Sequence, residues 1–160
     1  MKKLLSLIII ISFFGCGYSI RSDSDLPIKE IRIDSILNKT PEPDIEDILY
    51  RKLANELMKQ GISVRNSSVY TISGEIRNFT LKVVSEKSEV AREYEVLIGA
   101  NFIVKGPDDY VKKYNAITSP FIESFIAERK INSIISFKEI ATEQALESLS
   151  RRLITEVIYR

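Results

Sequence analysis

The chain has 160 residues, enough for one domain with a single core, and it carries 23 basic against 22 acidic side chains. This balance excludes a broad basic field of the kind that holds nucleic acid. The absence of histidine excludes Ser-His-Asp and Cys-His catalysis, and zinc sites of the usual kind are excluded as well. We therefore expect no metal, no cofactor and no nucleic-acid partner.

The N-terminus has the order of a secretory signal. Lys2 and Lys3 precede an apolar run over residues 4–14, and the small residue Gly15 follows. The run is too short to span a bilayer comfortably, because a spanning helix needs about 20 apolar residues. The alternatives are an uncleaved N-terminal anchor and a buried strand.

The only cysteine, Cys16, stands directly after this segment. The run Phe13-Phe14-Gly15-Cys16 resembles a bacterial lipobox, although Phe13 stands where Leu is usual. The resemblance implies that residues 1–15 are a signal peptide and that Cys16 is acylated, with palmitate among its acyl chains. Gly17 follows where Asp would signal inner-membrane retention, which implies an outer-membrane lipoprotein on the periplasmic face.

A polar segment over residues 16–27 predicts a short tether between the lipid and the folded domain. Alternation around Ile31 and Ile33 predicts a strand from about Pro27 to Leu37. The helical spacing of apolar residues predicts an amphipathic helix over Ile45–Gln60, with Asp44 as N-cap and Gly61 as the residue that ends it.

Residues 69–105 predict a long β-hairpin with residues 85–88 as its tip. The apolar parity changes between Ile76 and Phe79, which indicates a bulge near Arg77-Asn78. The second strand keeps one parity from Val90 to Val104.

A turn at residues 106–109 leads to a strand near Tyr110 to Phe121 that ends at Pro120. Its lysines and proline indicate an edge strand. Residues 123–132 are consistent with either a strand extension or a loop.

Ser136 and Glu139 have the spacing of a capping box, flanked by Ile135 and Ile140 as a hydrophobic staple, so they predict the start of the last helix. An apolar stripe follows, formed by Leu146, Leu149, Leu153 and Val157. The order β-α-β-β-β-α predicts an α+β, two-layer sandwich with two helices on one face of a four-stranded, mainly antiparallel sheet over residues 28–160.

Two acidic clusters are the densest in the chain. Asp108-Asp109 follows Gly-Pro as a turn, and the acids from Glu42 to Asp47 suit the first turn of a helix. Neither is a paired-acid motif, so a carboxylate-based hydrolase is a weak alternative and we expect no enzyme.

Several segments together resemble the LPS-assembly lipoprotein (LptE) family. They are Cys16-Gly17-Tyr18, the strand Ile28–Ile33, the helix end Leu57–Val64, Glu93–Val96 in the hairpin, and Ala145-Leu146 with Ser150–Leu153 in the last helix. The order of these elements carries more weight than any one of them.

The resemblance implies a lipoprotein that partners an outer-membrane β-barrel, the LPS translocon, one to one. In this family the lipoprotein sits as a plug in the barrel, binds lipopolysaccharide and helps deliver it to the outer leaflet. The alternative is a periplasmic lipoprotein adaptor that activates a cell-wall synthase and has no lipid substrate.

Lipopolysaccharide carries phosphates, which a near-neutral protein binds only through clustered cations. The hairpin offers four candidate phosphate contacts, namely Arg77, Lys82, Lys87 and Arg92. If the strands pair across Glu86 to Val90, Lys82 and Arg92 lie at similar distances from the turn. The alternative is that these four side chains are solvated surface charges without a ligand. In that case Arg51, Lys52 or Arg151-Arg152 are the next candidates for contacting phosphate.

Overall fold

The computed structural model describes the backbone of residues 28–87, 91–125 and 131–159. Side chains are described in these ranges except at residues 83–94 and 120–134. The elements are β1 (Glu30–Asn38), α1 (Ile45–Lys59), β2 (Ser63–Val64), β3 (Thr71–Lys87), β4 (Ala91–Lys105), β5 (Val111–Phe125) and α2 (Ile131–Tyr159). The predicted signal peptide 1–15 and tether 16–27, with Cys16, lie outside the described residues. In the part of the chain that is described, no helix is both long and apolar enough to cross a membrane.

The predicted α+β class is confirmed, because α1 and α2 pack on one face of a single sheet of order β2-β1-β3-β4-β5. The described residues form five strands in this sheet rather than the predicted four. The added strand, Ser63–Val64, is too short to show a periodicity in sequence. Pairing is parallel at β1–β2 and β1–β3 and antiparallel at β3–β4 and β4–β5.

The predicted first helix is confirmed by α1, whose buried stripe contains Ile45, Leu49, Leu53 and Leu57. The helix ends as predicted at Gly61, with a φ of 79°. The amide of Gly61 donates to the Met58 carbonyl, and that of Ile62 donates to the Leu57 carbonyl, both at 3.0 Å. These two bonds form a Schellman motif, and the burial of Ile62 completes it.

The predicted side-chain cap by Asp44 is wrong. Asp44 is the N-cap residue but has a φ of 61°, and its side chain makes no capping hydrogen bond. The loop before the helix is held by Asn38 instead. Its Nδ2 donates to the Glu42 carbonyl at 2.6 Å and to Glu46 Oε2 at 2.9 Å.

The long hairpin and its bulge are confirmed. Ile76 pairs with Ala100 and Asn78 with Gly99, so Arg77 is the extra residue. The predicted tip is wrong, because residues 85–87 still pair with β4 and the connection falls in residues 88–90, outside the described residues. A second irregularity lies between Val83 and Ser85.

The edge position of β5 is confirmed, but the strand continues past Pro120 to Phe125. An edge strand tolerates proline because its unpaired side needs no backbone donor. The untidy alternation has a cause in a bulge between Tyr114 and Ile117, both of which are buried. Ala116 has a φ of 54° there, and its amide donates to Asn101 Oδ1 at 2.8 Å.

The predicted start of the last helix at Ser136 is wrong, because α2 begins at Ile131 and Ser136 lies inside it. The proposed staple residues are on the surface, with Ile135 50% and Ile140 47% exposed. A capping-box spacing also occurs in helix interiors, so the spacing alone does not locate a terminus. The predicted stripe from Leu146 to Val157 is buried and packs on the sheet and α1.

Candidate ligand groove on the helix-free face of the sheet

The two faces of the sheet have different roles because side chains alternate along each strand. Ile72, Ile98 and Phe102 point toward the helices and are buried. The opposite side, here called the helix-free face, carries no helix formed by the described residues. The bulge at Arg77 reverses the alternation of β3, so Phe79 joins the core side and Asn78 lies on the helix-free face beside Gly99.

An open groove of about 470 Å³ lies on the helix-free face at this bulge. Its floor runs across three strands through Asn78, Gly99 and Thr118, which are register partners. A Cβ built on Gly99 would lie 3.4 Å from Asn78 Nδ2 and 3.7 Å from Thr118 Cγ2. The missing side chain of Gly99 therefore leaves the depression between its two neighbours.

The rim of the groove carries two cations and an apolar wall. Lys39, which follows β1, and Arg77 both line it, and Pro41 and Leu97 supply apolar surface. The Lys39 amide donates to the Ile76 carbonyl at 2.9 Å, which holds the segment after β1 beside the bulge. The groove thus combines positive charge with apolar surface, as an anionic amphiphile requires.

Arg77 remains available for a ligand although it has an ion pair. Its Nη1 lies 3.6 Å from Glu75 Oε1, and the two side chains are 58% and 33% exposed. An exposed pair of this kind contributes only about 0–1 kcal/mol, so a phosphate can displace the carboxylate.

Two of the four predicted phosphate contacts, Arg77 and Lys82, have described side chains, and they lie at different positions along β3. Arg77 lines the groove, whereas Lys82 is exposed farther along β3 and is paired in register with Glu95. Arg92 is paired with Glu86, so the expectation that Lys82 and Arg92 lie at similar distances from the turn is wrong. The side chains of Lys87 and Arg92 lie outside the described residues.

Lys39 is the groove residue that the sequence reasoning missed. Its position beside Arg77 follows from the parallel pairing of β1 with β3, in which Asn38 is the partner of Ile76. No local pattern around Lys39 indicates this pairing, because the two strands are separated by α1 and β2.

The other candidate cations are engaged in the seam between the helices. Lys52 Nζ lies 3.3 Å from Glu143 and 3.5 Å from Glu147, and Arg151 lies 3.3 Å from Glu147. Burial raises the pKa of Glu147, but the nearby cations Lys52, Lys59 and Arg151 together lower it by more. The pKa of Glu147 therefore lies below its ordinary value. Lys52 and Lys59 therefore link α1 to α2, whereas Arg151 pairs with Glu147 within α2.

Arg152 has a different structural role, since its Nη1 donates to the Thr118 carbonyl of β5 at 2.7 Å. Arg51 is exposed on α1, which packs on the other face of the sheet.

The acidic clusters have structural roles. Asp108 and Asp109 have φ values of 54° and 57°, as the two central residues of a tight turn closed by a 3.1 Å bond from the Tyr110 amide to the Pro107 carbonyl. Among the described residues, no group of three or more acidic, histidine or cysteine side chains could hold a metal ion.

Two helices on one face of a mixed sheet, with an open groove on the other face, define a two-layer α+β domain. The chain belongs to the LptE family, described as lipopolysaccharide-assembly, whose model matches residues 28–160. This is a family of non-enzymatic assembly lipoproteins that work with the lipopolysaccharide transport machinery.

Solved structures show the same fold at low sequence identity. A minor lipoprotein from Acinetobacter baumannii is 14% identical, and the match covers 83% of this chain and 92% of that chain with a TM-score of 0.53. The hypothetical protein CT253 from Chlamydia trachomatis is 7% identical, with coverage of 80% and 94% and a TM-score of 0.51. No protein of curated function matches the chain in sequence.

Proposed function

We propose that this protein is an outer-membrane lipoprotein that partners a β-barrel LPS translocon one to one, as its plug and assembly factor. It helps to deliver lipopolysaccharide to the outer leaflet. Residues 1–15 are its signal peptide, Cys16 carries the lipid on the periplasmic side, residues 16–27 form the tether, and residues 28–160 form the functional domain.

The observation that carries this proposal is the family match over residues 28–160. The near-neutral charge of the chain is consistent with it, because a plug contacts a barrel wall through a broad surface rather than through one charged patch. No observation favours the adaptor of a cell-wall synthase.

The partner is tested by affinity purification of the acylated protein from detergent-solubilised outer membranes. We expect a β-barrel at a one-to-one ratio, retained through size-exclusion chromatography. Recovery of a cell-wall synthase without any barrel would contradict the proposal.

We further propose that the groove on the helix-free face binds lipopolysaccharide, with Lys39 and Arg77 at a phosphate and the apolar wall beside an acyl chain. A volume of about 470 Å³ is within the range of about 300–1,000 Å³ typical of small-ligand sites, so it accommodates part of the lipid and not all of it. Lys82, Lys87 and Arg92 remain candidates for a second phosphate along the hairpin.

Three variants test this site in a lipopolysaccharide-binding assay at low and high salt. Lys39→Ser with Arg77→Ser should weaken binding mainly at low salt, because two charge-assisted contacts are lost. Gly99→Leu should weaken binding at both salt concentrations, because its side chain fills the floor.

Two controls match these variants. Arg51→Ser removes an exposed cation from α1, away from the sheet, and Ser73→Leu adds bulk to the helix-free face outside the groove. Both should bind as the wild type does. Equal losses in the controls, or full binding by a folded Gly99→Leu variant, would contradict the assignment of the groove. The triple variant of Lys82, Lys87 and Arg92 to Ser then tests the hairpin.

A further inference from the structure

The domain has two distinct ends, which the strand register defines. At one end the chain enters at Ile28, and Arg32 is paired with Thr71, which is paired with Lys105. We call this the anchor end, because the tether joins the domain here. At the other end lie residues 85–87 of β3, residues 91–93 of β4 and the end of β5, here called the tip end.

The anchor end exposes apolar and aromatic side chains. Val69 is 67% exposed, Tyr110 43% and Val111 53%. A Cβ built on Gly106 would lie 2.5 Å from Tyr70 Cε1 and 3.4 Å from Tyr110 Cδ1, so both rings flank this glycine and the loops after β2 and β4 meet. Tyr70, Gly106 and Tyr110 therefore lie together, and Val69 and Val111 are the chain neighbours of the two tyrosines.

The entry point of the chain adjoins this surface. Ser68 Oγ donates to the Glu30 carbonyl at 2.9 Å, which places Val69 beside the start of β1. The Ser63 amide also donates to the Lys29 carbonyl at 2.9 Å. Any force that holds Ile28 near a membrane therefore also holds Val69 and Tyr110 near it.

The length of the tether determines which end of the domain reaches the lipid. Twelve Cα-to-Cα steps separate Cys16 from Ile28, and at no more than ~3.6 Å each they span at most ~43 Å. The sixteen Cα-to-Cα steps of the seventeen-residue strand β3 extend ~53 Å at ~3.3 Å each. If the tip end faced the membrane, Ile28 would lie about one strand length from it. That distance exceeds the longest span of the tether, so the tip end cannot face the lipid attached to Cys16.

We propose that the anchor end is a lipid-contact surface, in which Val69, Tyr110 and Val111 enter the headgroup region of the membrane that holds the acylated Cys16. Tyrosine suits this depth, because its ring is apolar and its hydroxyl remains hydrated. The inference rests on the proposed acylation. It leaves the groove and the tip end free to meet a protein partner.

Charge adds to this contact but does not account for all of it. Among the described residues, the anchor end carries six cations, Lys29, Arg32, Arg65, Lys105, Lys112 and Lys113, and only three acidic side chains, Glu30, Asp108 and Asp109. Anionic lipid should therefore strengthen the contact at low salt. The part that depends on apolar burial should persist at high salt and on zwitterionic vesicles.

The chain contains no tryptophan, so a single introduced tryptophan reports its own environment. The test uses the acylated protein in phosphatidylethanolamine–phosphatidylglycerol vesicles that contain brominated lipid as a quencher. Val69→Trp and Val111→Trp probe the anchor end, and the second variant serves if the first fails to fold. Ile140→Trp on α2 is the matched control, with a parent side chain 47% exposed.

We expect a blue-shifted emission at positions 69 and 111, with quenching about two-fold stronger than at position 140, at low and high salt alike. Quenching at position 140 equal to or stronger than that at positions 69 and 111 would overturn the inference. If the acylated protein floats with vesicles but Val69→Trp stays unquenched, only this surface is wrong. If the wild-type protein does not float, the acylation is wrong and the inference falls with it.

Discussion

The packing of Gly74 against Phe102 leads to a quantitative prediction about the core. Gly74 lies on the core side of β3, directly opposite Phe102 on β4, and Phe102 is only 1% exposed. A Cβ built on Gly74 would lie 2.8 Å from Cε1 and 2.9 Å from Cδ1 of that ring. Carbon atoms in good contact are ~3.5–4.0 Å apart, so Gly74→Ala requires the ring or the strand to move by roughly 0.6–1.2 Å.

The surrounding core cannot yield freely, because interiors are close-packed and Phe102 is enclosed. We therefore expect Gly74→Ala to lower the free energy of unfolding by ~1–3 kcal/mol, the usual cost of overpacking. For a domain of this size that corresponds to a fall in Tm of roughly 2–4 °C per kcal/mol. Urea unfolding of a chain that starts at Gly17 measures the change.

Gly99→Ala is the matched control, because it places the same methyl group in the next strand. Its nearest neighbours would be 3.4–3.7 Å away, all of them side-chain atoms on the helix-free face. We expect its stability to change by no more than about 0.5 kcal/mol.

A double variant tests the cause. Phe102→Leu should be less harmful in the Gly74→Ala background than alone, with a coupling energy of at least about 0.5 kcal/mol. Equal effects of the two glycine variants, or simple additivity with Phe102→Leu, would refute the steric explanation.

Three further predictions concern single side chains. Burial, with help from Tyr110 and Glu156, raises the pKa of Tyr114 from 10.0 to about 12, and its buried hydroxyl has no hydrogen-bond partner among the described residues. The unfolded chain therefore ionises first, so the free energy of unfolding should fall as the pH rises from 10 toward 12. Tyr114→Phe should reduce this fall without lowering stability at pH 7. The control, Tyr50→Phe, should not reduce the fall. The lowered pKa of Glu147 means that its stabilisation is present above the unfolded value of 4.5 and lost as the pH falls through the lower folded value. Glu147→Gln should thus be less stable than wild type at pH 7 by about 1 kcal/mol or less, with the gap closing in acid, and a gap that persists there would contradict the ionic explanation. Cys16→Ser should abolish incorporation of labelled palmitate, and equal label in both proteins would rule out acylation at this residue.

Local patterns in the sequence were enough to predict the elements whose apolar period is long and regular. The helical stripe from Ile45 to Leu57 and the glycine at position 61 define α1, because helix periodicity and a left-handed residue are both local properties. The reversal of parity between Ile76 and Phe79 located the bulge at Arg77, since one extra residue exchanges the two faces of a strand.

The sequence did not determine the features that depend on contacts between distant segments. The parallel pairing of β1 with β3 brings Lys39 beside Arg77 across an intervening helix, and only the assembled sheet decides that neighbour. The register of the hairpin separates Lys82 from Arg92, because the paired strands extend beyond the polar residues 85–87 that look like a turn.

Tertiary structure also decided where two elements begin and end. Strand β5 passes through Pro120 because its outer side has no partner that needs a donor, and α2 begins before the capping-box pattern at Ser136. The local sequence specifies which residues are apolar and with what period they recur. The free energy that selects register, edge and neighbour comes from burial across the whole sheet, and no single segment contains it.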